Sequence, residues 1–85
     1  MDQESPRRLS ARARAVLAFI IGYQVERGYP PTIREIGARF GMASTNGPRY
    51  YLQLLAAEGY VVRAGGLSRA LRVTEAGRRT EQERK

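Results

Sequence analysis

The sequence contains no cysteine and no histidine. Disulfides, thiolate chemistry and the common zinc ligand sets are thereby excluded. Carboxylates alone remain as metal ligands or acid–base groups, and the 8 acidic residues are scattered singly along the chain. No glycine-rich phosphate loop is present. An enzyme is therefore not expected, and neither a cofactor nor a small-molecule ligand is implied. Long apolar runs are missing too. The longest, Ala15 to Ile21, is far too short to cross a bilayer. The N-terminus, MDQESPRR, is polar and lacks the apolar centre of a signal peptide. A cytoplasmic protein without a membrane partner is the expectation.

What the chain does have is positive charge. Its 85 residues suit one domain with one small core. The net charge is +7 and the isoelectric point about 10.8. Of the 15 basic residues one, Lys85, is lysine, and the rest are arginine. A planar guanidinium can grip an anion with two parallel bonds. A domain this small and this basic favours nucleic acid over a membrane surface.

Residues 1–8 read as a flexible, solvated arm. Ser10 is a good N-cap for a long helix running to about Arg27, with Gly28 at the position that ends it. Ala13, Val16, Leu17, Ile20 and Gln24 recur at the spacing of one buried helical face. Phe19 and Tyr23 flank that face, while Ile21 and Val25 sit toward the far side. Tyr29-Pro30-Pro31 enforces an extended connector, since each proline fixes its own φ and restricts the residue before it. Thr32 and Glu35 then form a capping box for a second helix. Ile33, Ile36 and Phe40, with Ala38 nearby, supply its inner side, and Gly41 ends it.

A turn of only a few residues follows, which suits a helix-turn-helix better than a bundle. Ser44, Thr45 or Asn46 can cap a third helix that runs to Glu58, with Gly59 as its stop. Pro48 is tolerated in a first turn but disfavours helical geometry at Gly47, which predicts a start one turn later than Ser44 suggests. The runs Tyr60-Val61-Val62-Arg63 and Ala70-Leu71-Arg72-Val73 flank Gly65-Gly66 and read as a hairpin. The last stretch reads as a charged helical turn capped by Thr74 or as a tail. The expected division is an arm over 1–8, a folded domain over 9–74 and a charged tail over 75–85. Three helices followed by a two-stranded β-hairpin wing make a small α+β fold, the winged helix-turn-helix.

On a helical wheel the third helix has two sides. Pro48, Tyr51, Leu52 and Leu55 fall on one, and Asn46, Arg49, Tyr50 and Gln53 on the other. The second set suits a major groove. Asparagine and glutamine pair with adenine, arginine pairs with guanine, and tyrosine meets a phosphate or a thymine methyl. Any surface helix carries polar side chains outward, so that row alone decides little. The absence of acidic residues between Gly41 and Ala57 is the more telling sign. In the hairpin, Gly65 and Gly66 permit a close approach, with Ser68 and Arg69 beside them and Arg63 and Arg72 along the strands. Such a wing, over 63–72, can touch phosphates or enter a minor groove. Arg7, Arg8, Arg12, Arg34 and Arg39 are further candidates for phosphate contact.

These residues also carry a family resemblance. From Leu9 to about Val73 the chain resembles the N-terminal DNA-binding domain of the LexA repressors. The matching motifs are LSAR at the first helix, GYPPTIREIGARFGM through the second, STN at the start of the third, and GGLSRALRV in the wing. The resemblance implies a winged helix-turn-helix that binds operator DNA as a repressor, with the third helix (about 44–58) in the major groove. It implies DNA contacts at Ser44, Thr45, Asn46, Gly47, Arg49 and Tyr50, and at Ser68 and Arg69 in the wing. Two features depart from the family. Gly47-Pro48 replaces a helix-friendly pair, and Arg49-Tyr50 sits where members differ, so the operator is not inferable from better-known members.

LexA repressors also carry a C-terminal domain that dimerises and cuts its own linker with a serine–lysine pair. Lys85, the last residue, is the only lysine here, so the expectation is a stand-alone relative without that domain, or the DNA-binding part of a longer repressor whose regulated half lies outside this sequence. Such a chain would be a monomer or a weak dimer that pairs on double-stranded DNA in the nucleoid. Two other functions compete with sequence-specific regulation. One is a winged-helix module that docks on protein, and the other is non-specific binding of nucleic acid.

Overall fold

Ser10 opens the first helix, α1 (Ala11–Arg27), its hydroxyl accepting the backbone N–H of Ala13 at 3.1 Å. Gly28 closes the helix at φ +84°, donating its N–H to the carbonyl of Gln24. The computed structural model describes residues 9–63 and 71–83. Along α1, Ala13, Val16, Leu17 and Ile20 are wholly buried. Tyr23, expected at the flank, joins that stripe, while Gln24 is only half-buried. The reason is aromatic packing. The ring of Tyr23 lies edge-on to Phe19 and Tyr29, with the guanidinium of Arg27 4.4 Å from its centroid.

The connector through the prolines delivers the chain to α2 (Ile33–Phe40). Its capping box is complete. The Thr32 hydroxyl accepts the N–H of Glu35 at 3.1 Å, and the Glu35 carboxylate accepts the N–H of Thr32 at 2.8 Å. Replacing Thr32 by alanine should therefore cost about 1 kcal/mol, read as a lower urea midpoint with an unchanged slope. Gly41, at φ +68°, stops the helix, and Met42 donates its N–H back to Gly37 at 2.9 Å. Arg12 reaches across from α1 and donates to the last carbonyl, that of Phe40, at 3.2 Å. A cation at this helix end also opposes the negative pole of the dipole.

The third helix, α3 (Asn46–Ala57), starts with Thr45 at the cap, less than the full turn later expected from Pro48, and Gly47 is helical. Thr45 occupies the cap position without a side-chain bond, and the hydroxyl of Ser44 takes the N–H of Asn46 at 3.2 Å instead. Pro48 lies in the first turn, where its missing N–H leaves no intrahelical bond unmade. Its buried ring packs on α2 at Gly37, where an added Cβ would stand 3.4 Å from the proline Cγ. Small Gly37 and flat Pro48 thus bring the two helices close together.

Gly59, at φ +81°, turns the chain into β1 (Val61–Arg63), which pairs antiparallel with β2 (Leu71–Val73). The register sets Val61 opposite Val73, Val62 opposite Arg72 and Arg63 opposite Leu71. Val61 and Val73 point inward and join Leu9, Ile36, Leu52, Leu55 and Tyr60 in the core around α1.

The expected tail over 75–85 needs correction. Glu75–Glu83 form a fourth helix, α4, which packs on α1 and β2. Of the two readings for this stretch, the structure has the capped helix, extended to 9 residues. Thr74 stitches it in place. Its hydroxyl donates to the carbonyl of Gly59 at 2.6 Å and accepts the N–H of Gly77 at 3.1 Å, while its own N–H donates to the carbonyl of Tyr60 at 3.0 Å. The segment carries too few apolar residues to declare a buried face from periodicity. Contact is made instead by the absence of a side chain at buried Gly77.

Candidate nucleic-acid interface

The roll of α3 about its axis is set from below. Pro48, Leu52 and Leu55 are buried and Tyr51 is half-buried, which turns Asn46, Arg49, Tyr50 and Gln53 outward. All four of these residues are exposed. Tyr50 is 57% exposed, yet its ring is not isolated. It lies edge-on to Tyr51 with centroids 5.0 Å apart. Among the described residues, no carboxylate forms an ion pair with Arg49.

The start of the helix is more constrained than its outer row. Ser44 is exposed, but its hydroxyl is engaged with the N–H of Asn46. Thr45 and Gly47 are half-buried. A Cβ on Gly47 would lie 2.7 Å from the sulfur of Met42, inside contact distance. Gly47 thus accommodates the Met42 side chain of the preceding turn. From the sequence, Met42 stood only as part of a break between helices. An apolar residue inside a polar turn was the available signal that it packs.

The candidate arginines separate into groups. Arg34 is exposed on α2. Arg12 and Arg39 are brought together around Phe40, with guanidinium carbons 5.7 and 5.1 Å from its ring centroid. Arg39 also lies 5.9 Å from the ring of Phe19. Stacking of this kind holds a cation in place while leaving its edge in solvent. Arg63 and Arg72, by contrast, are not brought together. Alternation places Arg63 with Leu71 on the face that carries Val61 and Val73, and Arg72 with exposed Val62 on the other. Arg7, Arg8, Gly65, Gly66, Ser68 and Arg69 lie outside the described residues. No group of three histidine, cysteine, aspartate or glutamate side chains able to hold a metal ion occurs among the described residues. No described helix is long and apolar enough to cross a membrane.

Two helices joined by a tight turn, a preceding helix that carries the core, and a following antiparallel ribbon define a winged helix-turn-helix protein. Residues 6–70 match the family model of the LexA DNA binding domain, and the chain belongs to that family. It is 50% identical over 64 residues to the LexA repressor of Sorangium cellulosum (strain So ce56), covering 75% of this chain and 28% of that repressor. It is 43% identical over 70 residues to the LexA repressor of Myxococcus xanthus (strain DK1622), covering 82% and 32%. With LexA repressor 1 of Geobacter sulfurreducens the identity is 43% over 63 residues, covering 74% and 31%. The chain thus spans about three tenths of the length of these curated relatives.

Proposed function

We infer that this chain is the DNA-reading part of a transcriptional repressor, binding a specific double-stranded site. Helix α3 lies in the major groove, and the ribbon of β1 and β2 approaches the backbone or the minor groove beside it. The observation that carries this reading is the exposed row of Asn46, Arg49, Tyr50 and Gln53, within a stretch from 41 to 57 that has no acidic residue. Donors, acceptors and one cation face outward there, and nothing in the stretch repels phosphate. The names of the relatives supply the word repressor.

Around that row Arg12, Arg34, Arg39 and Arg72 serve as phosphate contacts, with Arg63, Ser68 and Arg69 completing the wing. Occupying a promoter is the mechanism of repression, in the nucleoid, and no chemistry is performed on the DNA. One winged helix covers one half-site. Two copies, paired weakly or only on DNA, would read an inverted repeat with half-sites separated by about one helical turn.

Selection of bound duplexes from a random library, at low and near-physiological salt, tests this function. One enriched motif, present at both salts, is the expected result. Affinity for that motif should still fall steeply with salt, because phosphate contacts release counterions. Binding that enriches nothing and fades alike on all duplexes would identify a non-specific binder instead.

A further inference from the structure

We propose that Arg49 reads a guanine in the site, and that the base pair next to it is an A·T pair read by Asn46. The proposal rests on the reading of α3 as the helix in the major groove, and adds the letters that it recognises. Its first support is position. Asn46 is the first residue of α3 and Arg49 the fourth, and the N-terminal residues of a recognition helix are those that reach base edges. Pro48, the residue before Arg49, is buried against Gly37, while Arg49 itself is exposed.

The second support is chemistry. Arg49 is exposed and forms no ion pair with a described carboxylate. Its fork of donors matches the O6 and N7 acceptors of guanine, and the amide of Asn46 matches N6 and N7 of adenine. Tyr50, the next residue, is exposed with its ring against Tyr51, and such an apolar ring suits the methyl group of a neighbouring thymine.

The third support is spacing. Three residues of helix rise about 4.5 Å, and one base-pair step in DNA is about 3.4 Å. Asn46 and Arg49 therefore address adjacent base pairs. Gln53 stands four residues further on, about 6 Å, which is closer to two steps.

The test uses the full chain and its Arg49→Ala variant. Both are taken through duplex selection and then through titration of the selected site. Circular dichroism melting of the variant, expected to match the parent because Arg49 is exposed, accompanies each. The parent should enrich a G·C pair beside an A·T pair, and Arg49→Ala should lose preference at the G·C pair alone. Binding to the selected site should weaken about ten- to a hundredfold. Replacing that guanine by 7-deazaguanine should weaken the parent and leave the variant nearly unaffected.

If Arg49→Ala weakens every duplex alike and keeps the motif, Arg49 is a phosphate contact. The proposal then fails while the DNA-binding function stands. If the variant loses preference at an A·T pair instead, the assignment of letters is wrong. If the parent selects no motif, both the function and the proposal fall.

Discussion

Valine in place of Gly77 is expected to lower the stability of the domain by roughly 3 kcal/mol, the upper part of the usual range for overpacking a core. Even a single Cβ at this position would collide with the backbone carbonyl of Tyr60 and lie 2.9 Å from Cγ1 of Val73. Neither atom can step aside. The Tyr60 carbonyl accepts the N–H of Thr74, and Val73 is paired in register with Val61. A larger residue at 77 must therefore lift α4 from Tyr60 and β2 and break the hydrogen bond between Gly77 and Thr74. Urea denaturation followed by circular dichroism would read the loss. Serine at exposed Ala76, one position earlier, should change stability by less than about 0.5 kcal/mol. A similarly small effect at Gly77 would mean that α4 is not seated as described.

Leu55→Ala should have an effect of similar size, about 3 kcal/mol, within the range of 2–5 kcal/mol for truncating a buried leucine. Leu55 is wholly buried beneath α3 and belongs to the core cluster around α1. Domains have a margin of roughly 0.05–0.15 kcal/mol per residue, so one such cavity removes a large share of it. Gln53→Ala, on the exposed side of the same helix, should leave stability within about 0.5 kcal/mol. The pair separates the two sides of α3 by experiment. Leu55→Ala is expected to act on the melting temperature, and Gln53→Ala, on the proposed reading of α3, on the choice of DNA. Equal melting temperatures for the two variants would contradict the assigned roll of the helix.

Much of this architecture is legible in the sequence because local signals mark its boundaries. Ser10, the Thr32–Glu35 box, and glycines 28, 41 and 59 each stand where an element begins or ends. The outward row of α3 is likewise legible, since helical periodicity separates it from Leu52 and Leu55. What escaped depends on contacts between distant segments. Helix α4 has no apolar stripe of its own and is recruited by Thr74 and Gly77, whose partners are Gly59 and Tyr60. Arg63 and Arg72 both lie on the strands of the wing, but strand register decides faces, and one residue of offset puts them on opposite sides. The fit of Met42 beneath Gly47 needed the turn to be folded before it could be seen.

The outward row of α3 is also blind to some common cellular signals. No histidine or cysteine occurs anywhere in the chain, so no imidazole senses acidification and no thiol senses oxidants. The cation in that row is arginine, which offers no amine to an acetyl group. If that row reads DNA, the reading rests on neither an imidazole nor a thiol.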